Sequence, residues 1–313
     1  MKKIITTLSL LLFFLSSFAQ DINFSHYSRS RLYNNPAYAG FSDYPELNVN
    51  YRKQWPGLSI SNQGTYIGYD FSIDKINSGF GIYSLLNNTN HFTFHRDINI
   101  QYSYRINISK KFSIQPGIGF GINNTFIDVS KMTSNDIAFN PKTGLWIDPA
   151  LGDVYYANLD ASFGLLFRIK KFSSAVAFSH FNESALFHDA AYFKYNNPKF
   201  HLFGSYVFGL TKKIKFIPSV IYMKQQSFVQ MHYKFDLLLN RLALGIHYGH
   251  TSVNSTSVSL SAAYYFKRFG VLYTHGFNMS DVIVGIKSSG ELGVYFRPSI
   301  RVNRKSGYGL GLF

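Results

Sequence analysis

Polar and apolar side chains alternate with a period of two residues through most of this chain, and no other feature constrains its fold as strongly. In the clearest stretch, apolar Ile98, Ile100 and Tyr102 share one parity, and Asn99 and Gln101 share the other. Because successive side chains of a strand point to opposite faces, this stretch is a ribbon with one apolar and one hydrophilic side. Such ribbons occur in soluble β-sandwiches, and also in outer-membrane barrels whose apolar face meets lipid.

Residues 1–19 have the features of a cleavable signal peptide. Lys2 and Lys3 give a basic start, an apolar stretch follows as far as Leu15, and Ala19 ends a small-x-small cleavage motif. The apolar stretch is shorter than the about 20 residues that a membrane-spanning helix needs, and no later part of the sequence supplies such a run. We therefore expect a mature chain that enters a membrane to do so as strands.

The connections between the alternating segments are sorted by length. Short gaps carry basic residues, and longer polar connections lie between these gaps. Bacterial outer-membrane barrels have short periplasmic turns and longer extracellular loops, so the sorting favours a barrel over a sandwich. The basic residues of the short gaps are Lys75, Lys110, Lys111, Lys170, Lys171, Lys212, Lys213, Arg241, Lys267 and Arg268.

The pattern predicts an all-β protein, a transmembrane antiparallel barrel of about 14 strands (12–16) within residues 43–297, since single-chain bacterial barrels have an even strand number. Residues 298–313 form either a C-terminal extension or a final strand. Pro116 and Pro218 fall inside strands, and we expect bulges there because proline cannot donate to a β-ladder. The predicted strands are 47–53, 65–73, 78–86, 94–106, 112–122, 159–169, 172–181, 200–208, 214–223, 229–237, 242–249, 258–266, 269–277 and 290–296.

Composition excludes some classes of function. The chain has no cysteine, so disulfides and thiolate chemistry are absent, while aromatic residues make up 18% and would supply the girdles of a barrel. A net charge of +15 is compatible with binding to nucleic acid, to anionic lipid or to a periplasmic partner. Export makes nucleic acid the weakest of these, so we expect outer-membrane lipid as a partner and no nucleic acid.

No motif for catalysis, a cofactor or a metal stands out. The sequence lacks a Gly-rich phosphate loop, a helical HExxH and a GxSxG elbow. His247 and His250 are three residues apart, which on a strand places them on opposite faces. We expect no enzymatic activity, no cofactor and no metal site.

Eight charged residues have the hydrophilic parity of the predicted strands, so we expect their side chains to point into the lumen. They could form a wet, salt-bridged interior, or a charged contact surface for a plug or inserted segment. These residues are Asp70, Asp97, Arg105, Asp160, Arg168, Lys234, Asp236 and Glu291.

Residues 20–42 do not alternate, and Pro36 and Gly40 exclude a regular strand there. The segment carries several aromatic side chains, and an exposed tail would leave their apolar surface in contact with water, which is unfavourable. We expect it to be docked, either in the lumen against charges such as Lys234 and Asp236, or against a periplasmic partner.

Three motifs stand near this end of the chain. The first contains Gln20, Asp21, Phe24, Ser25 and Tyr27, the second consists of Asn35, Pro36, Ala37, Tyr38, Ala39 and Gly40, and the third contains Tyr51, Arg52, Gln54 and Trp55. Together they resemble the PorP/SprF family of outer-membrane proteins of the type IX secretion and gliding machinery in Bacteroidetes, which has a mature start of the form QDxxFSxY, then NPAYAG, then YRxQW at the first strand. Family members usually end close to Phe296, so residues 297–313 depart from the pattern.

The resemblance implies a non-enzymatic outer-membrane component of type IX secretion. Such a protein would help secrete, or anchor at the cell surface, a large adhesin-like cargo with a C-terminal signal domain, together with other components of the system. An alternative from another class is a diffusion channel or a small-molecule uptake barrel. A conducting lumen would favour the channel, and a co-purifying secreted protein would favour the secretion component.

Overall fold

A computed structural model of the protein describes residues 22–42, 44–56, 61–89, 91–131, 139–140, 145–146, 153–181, 185–188, 198–252, 255–279 and 288–298. The chain forms a closed antiparallel β-barrel of 14 strands. Each strand pairs with the next along the chain, and the last pairs with the first, with Leu47 opposite Phe296 and Gln54 opposite Ser289. We call this closing pair the seam.

The strands are β1 (Glu46–Gln54), β2 (Asn62–Ile73), β3 (Ser78–Thr89), β4 (Thr93–Tyr104), β5 (Phe112–Ile127), β6 (Val154–Ile169), β7 (Phe172–Ser179), β8 (Lys199–Tyr206), β9 (Ile214–Gln225), β10 (Phe228–Leu239), β11 (Leu242–Thr251), β12 (Thr256–Tyr265), β13 (Phe269–Asn278) and β14 (Ser288–Phe296). Short continuations extend β4 (Ile106–Ser109), β7 (Ala185–His188) and β8 (Phe208–Gly209). Phe139–Asn140 and Leu145–Trp146 form a separate small ladder.

The predicted fold is confirmed, with 14 strands in the predicted places. The predicted signal peptide and residues 299–313 lie outside the described residues. The strand that ends at Phe296 is the one that closes the barrel. Other described elements are one turn of helix, α1 (Arg31–Asn34), and 3-10 turns at Pro36–Tyr38, Asp74–Ile76 and Val129–Lys131. Among the described helices, none has the length and apolarity to cross a membrane.

Side-chain parity separates a lipid face from a lumen face, as the alternation requires. In β10, Tyr233 and Phe235 are 38% and 49% exposed on the outside of the barrel, whereas Lys234 between them is 5% exposed. The same division holds in β4, where Ile98 and Ile100 are exposed and Asn99 is buried. The apolar parity therefore coats the barrel, and the polar parity lines its interior.

The two ends of the barrel differ in their connections. At one end, which we call the turn end, strands are joined by short turns such as 170–171 and 240–241, and the basic residues of these turns are exposed. The longest connections, 128–153 and 180–198, lie at the other end, the loop end, although the turn 226–227 there is as short as those opposite. In bacterial barrels short turns face the periplasm, so the turn end is periplasmic.

The expectation of bulges at the two prolines is wrong. Pro116 and Pro218 stay in register with Leu165 and Phe235. The preceding strand instead shows a one-residue interruption, at Arg105 beside Pro116 and at Val207 beside Pro218, and the pairs directly before and after each interruption keep the same register. A register shift lies further along, between Asn107 and Ser109. The N–H groups of Arg105 and Val207 donate to carbonyl oxygens of neighbouring turns over 2.7 and 3.0 Å. Each proline therefore lacks one ladder hydrogen bond, but its strand contains no extra, bulged residue.

The parity of β10 makes a testable prediction. Replacing Phe235 by Arg should lower the free energy of unfolding by about 2–4 kcal/mol, because the side chain faces the middle of the bilayer. Replacing Lys234 by Ala, its lumen-facing neighbour, should lower it less. Denaturant unfolding in lipid vesicles measures both, and equal losses would show that β10 does not separate lipid from lumen.

Candidate functional site

Residues 22–42, which we call the plug segment, lie inside the barrel. Ile22, Phe24, Leu32 and Tyr38 are each at most 2% exposed. The hydrogen bonds and ion pairs of the segment reach all sides of the wall, on β1, β2, β4, β5, β7, β8, β10, β13 and β14. The plug segment, whose sequence does not alternate, therefore occupies the lumen.

The plug segment first descends the lumen and then crosses it. Ile22 packs against Gly64, close to the loop end of β2. Arg29 reaches Glu46, the first residue of β1 at the turn end. Beyond α1, the segment crosses to the wall of β4 to β7, where the side-chain amide of Asn35 donates to the carbonyl of Val176 over 3.0 Å.

An arginine cluster fixes the plug segment at the turn end. Glu46 is fully buried, and its Oε1 accepts from Arg29 Nη1 and Arg31 Nη1, each at 3.0 Å. Its Oε2 accepts from Arg297 Nε at 2.6 Å, and Arg31 also pairs with Asp70 at 2.6 Å. A buried charge that loses its partner is strongly destabilising, so these five side chains depend on one another.

Ser25 is held on three sides by charged wall residues. The two carboxylate oxygens of Glu291 accept from the backbone N–H groups of Ser25 and His26, at 2.6 and 2.9 Å. Lys234 Nζ donates to the carbonyl of Ser25 over 3.0 Å, and Arg52 Nη1 donates to its hydroxyl over 2.8 Å. Charge-assisted bonds of this kind are roughly twice as strong as neutral ones.

Neutral polar contacts flank this position. Asn23 donates to Gln230 over 3.0 Å and lies 3.2 Å from the His232 ring nitrogen. The His26 ring contacts the Thr274 hydroxyl at 2.6 Å. Burial, with the positive charge of Lys234 next in size, holds the pKa of His26 well below 6.5, so the ring is neutral at neutral pH.

Aromatic side chains anchor the segment between the polar contacts. Phe24 packs against Tyr66 of β2, with ring centroids 6.1 Å apart, and Tyr27 stacks on Phe203 of β8 at 4.9 Å and 3°. Tyr27 also meets Tyr38 edge to face at 6.3 Å. Such pairs are worth about 0.5–1.5 kcal/mol beyond their buried area.

Residues 35–40 form a compact turn that is bonded to the wall. Asn35 Oδ1 accepts from the N–H of Ala37 at 2.8 Å and caps the 3-10 turn. The carbonyl of Ala39 accepts from Ser103 Oγ at 2.7 Å and from Gln115 Nε2 at 3.1 Å. The turn therefore depends on its backbone groups as much as on its side chains.

The wall facing this turn carries three glycines, the glycine patch: Gly79, Gly117 and Gly164. A Cβ atom on any of them would collide with the turn, at Ala39, Ala37 and Asn35 respectively. Gly40 has a φ of +58°, and a Cβ there would lie 2.6 Å from the Cα of Gly79. The turn thus fits against the wall because the three wall positions carry no side chain, and Gly40 carries none where it meets Gly79.

Five of the eight charges predicted to line the lumen contact the plug segment: Asp70, Arg105, Arg168, Lys234 and Glu291. Arg105 donates to the carbonyl of Gly40 over 3.4 Å, and the Arg168 guanidinium lies 4.7 Å from the Phe41 ring centroid.

The other three predicted lumen charges share the lumen parity. Asp160 pairs with His180 at 2.8 Å, and Asp236 with His247 at 3.3 Å. Asp97 is half-buried in β4. Of the two residues predicted to hold the segment, Lys234 contacts it directly, whereas Asp236 bonds to His247, whose ring meets that of His26 at 6.4 Å.

The predicted motif residues do not all meet. Within the YRxQW motif, Arg52 contacts the plug segment. Tyr51 faces lipid, 41% exposed, and its hydroxyl donates to Gln63 at 3.2 Å. Gln54 and Trp55 lie at the loop end, where the Trp55 N–H donates to the carbonyl of Ser288.

A serine, a histidine and an aspartate come together in the lumen, but not in a catalytic arrangement. Ser261 Oγ and Asp236 Oδ1 each lie 3.3 Å from Nε2 of His247. In a triad the carboxylate binds the other ring nitrogen, so that the histidine can take the serine proton. Among the described residues, no group of three or more potential ligands is placed to hold a metal ion.

The match to a known family agrees with this geometry. Residues 16–296 match the family described as type IX secretion system membrane protein PorP/SprF. The chain belongs to the PorP/SprF family. It is an outer-membrane protein, and the matched region ends with β14. No match is found among curated proteins.

Two solved structures illustrate what this chain is similar to. The chain is similar to the CymD monoaromatic hydrocarbon channel, with 10% identity, a TM-score of 0.51, and coverage of 91% of this chain and 96% of that one. It is also similar to Omp33 of Acinetobacter baumannii, with 10% identity, a TM-score of 0.48, and coverage of 82% and 99%. At such identities the likeness to CymD shows the fold alone.

In this PorP/SprF protein, the structure joins motifs that are distant in sequence. Ser25 of the first motif bonds to Arg52 of the third, and Asn35 to Gly40 of the second motif lie on the glycine patch. The sequence reasoning missed Glu46, Arg29, Arg31, Arg297 and the glycine patch. No local pattern marked the cluster, because Glu46 follows Arg31 by 15 residues, and none marked the wall glycines.

The glycine patch predicts a selective effect of one methyl group. Gly117→Ala should lower the free energy of unfolding by about 1–3 kcal/mol, because the added Cβ meets the backbone of Ala37. It should also make the plug segment sensitive to protease in folded barrels. The control Gly204→Ala adds its Cβ 3.6 Å from Val220, an ordinary contact, and should change neither property. Equal protease resistance of both variants would contradict the prediction.

Proposed function

We propose that this protein helps secrete, or anchors at the cell surface, a large adhesin-like cargo that carries a C-terminal signal domain. It does so without catalysis, in association with other components of type IX secretion. The family assignment supports the secretion role. The observation that carries the proposal is that the motif residues of the N-terminal end are those packed inside the lumen, where they contact the wall.

The filled lumen favours this role over the alternative of a diffusion channel. Arg29 and Arg31 bind Glu46 and Asp70 at the turn end, Ser25 binds Glu291 nearer the loop end, and Ala39 binds Ser103 on the far wall. A solute could pass only after the hydrogen bonds and ion pairs between the plug segment and several parts of the wall had broken. The likeness to CymD concerns the fold, and so carries no argument for transport of a solute.

The absence of catalysis is supported by the shared nitrogen of His247. Ser261 and Asp236 both lie beside Nε2, so Asp236 does not bind Nδ1, the nitrogen through which a triad carboxylate orients the ring. The lumen groups instead act as donors and acceptors that hold a peptide segment. A binding role therefore suits the interior of the barrel.

Deleting residues 21–40 tests the role of the plug segment. We expect the barrel to assemble, because the strand pairing from β1 to β14 does not involve these residues, and the cargo to be lost from the cell surface. Antibody labelling of whole cells measures the cargo at the surface. Heat-modifiable migration in gel electrophoresis measures assembly of the barrel. The control Asp160→Asn alters a lumen charge that pairs with His180 and should display its cargo normally. Normal display by the truncated protein would remove the proposed role of the segment.

A conductance measurement separates the two functional classes. In planar bilayers the intact protein should show no steady conducting state, because the plug segment crosses the lumen. The protein lacking residues 21–40 should show stable conducting steps. Open, steady conductance in the intact protein would favour the channel and count against a plugged secretion component.

A further inference from the structure

We propose that the lumen wall at Arg52, Lys234 and Glu291 is a binding site for a bent peptide segment. In this structure residues 23–27, which bend at Ser25, occupy the site in cis. A segment of a secreted cargo protein, with two aromatic side chains three positions apart, takes their place when cargo is held. This inference rests on the proposed function, since it names how the barrel grips its cargo.

The wall at this site binds main-chain groups. One carboxylate, Glu291, accepts from two successive backbone N–H groups, those of Ser25 and His26. Lys234 donates to the carbonyl between them. A peptide that bends as the chain does at Ser25 offers this N–H, N–H and C=O arrangement, so the charges recognise a backbone conformation. Binding through main-chain groups, with pockets for selected side chains, is a common way to recognise peptides.

Two aromatic positions add selectivity. Phe24 and Tyr27 flank the backbone contact, and both are at most 3% exposed. Their wall partners are Tyr66 for Phe24 and Phe203 for Tyr27. A partner peptide with the aromatic-x-x-aromatic spacing would fill both positions while the groups between them bind Glu291 and Lys234.

The plug segment divides into a part that can exchange and a part that stays. Residues 29–41, the anchor, are fixed by the pairs to Glu46 and Asp70 and by the glycine patch. Residues 22–28, the stalk, join it through a turn in which the N–H groups of Arg29 and Ser30 both bond to the carbonyl of His26, and Tyr27 meets Tyr38 edge to face. The bonds of the anchor to Glu46, Asp70 and the glycine patch do not involve the stalk, so they can persist when the stalk leaves.

The position of the stalk suits an exchange with a partner at the cell surface. Ile22, its outermost described residue, packs on Gly64, and Asn23 bonds to Gln230; both wall residues lie within the first three of their strands at the loop end. The anchor lies deeper, towards the turn end. A peptide that enters from the loop end therefore meets the stalk first.

A disulfide cross-link can hold the stalk in place. The chain contains no cysteine, so an introduced pair is unambiguous. A Cβ built on Gly64 lies 3.4 and 3.5 Å from Cγ1 and Cγ2 of Ile22. The sulfur of a cysteine at position 22 takes the place of one of these two atoms, so it lies close to the Cβ of a cysteine at position 64. The full-length variant Ile22→Cys/Gly64→Cys gives a fixed stalk when oxidised and a releasable stalk when reduced.

The first measurement uses a fluorescent synthetic peptide of residues 21–28 added to this full-length variant. The reduced protein should bind it saturably, and the oxidised protein should not. Adding Glu291→Ala to the reduced protein should weaken binding about tenfold or more, as loss of charge-assisted hydrogen bonds implies. Asp160→Asn is the control and should leave binding unchanged. N-methylation of the peptide at the Ser25 and His26 amides should abolish binding, and equal binding by the methylated peptide would overturn backbone recognition.

The second measurement uses an epitope-tagged surface protein with a type IX C-terminal signal domain, expressed with the same variant. We expect the reduced barrel to retain this cargo on purification and the oxidised barrel to lose it. Equal retention in both states would overturn the exchange and leave the secretion role intact. Absence of cargo from the wild-type barrel as well would instead refute the proposed function, and this inference with it.

Discussion

The pairing of β1 with β14 closes the barrel, and the plug segment binds to both strands of this seam. Arg52 of β1 lies opposite Glu291 of β14 in the register, and both bind Ser25. At the turn end, Arg29 pairs with Glu46 of β1 and lies over the ring of Tyr295 of β14 at 4.4 Å. The groups that hold the plug segment are therefore complete only when the barrel is closed.

This dependence explains why so many charges are buried inside the barrel. Glu46 and Asp70 would be costly in a dry interior without the arginines of the plug segment, and those arginines would be equally costly without them. Arg297, the first residue after β14, adds a further bond to Glu46. The buried carboxylates of the lumen are thus neutralised by arginines of the plug segment, whereas in a water-filled channel the charges would be solvated by water.

The alternation predicted the strands and the lumen parity of residues such as Lys234 and Glu291, because successive side chains of a strand point to opposite faces. The sorting of the connections by length then favoured a barrel over a sandwich. The arginine cluster and the glycine patch could not be predicted in the same way. They depend on which strands face each other across the lumen, and the period fixes the face of a residue but not its partner. Gly117 and Gly164, for example, read in sequence only as interruptions of a strand, although they are paired neighbours beneath one turn.

The bulge prediction failed for a related reason. The prediction considered only the N–H group that Pro116 and Pro218 lack in their own strands. In the structure, the interruption lies in the neighbouring strand, at Arg105 and Val207. In one case the interruption also serves the interior, because Arg105 extends its guanidinium to the carbonyl of Gly40 while its N–H turns to a neighbouring turn. A missing hydrogen bond in the wall thus accompanies a new bond to the plug segment, so the irregular positions of this barrel are best understood together with the peptide it encloses.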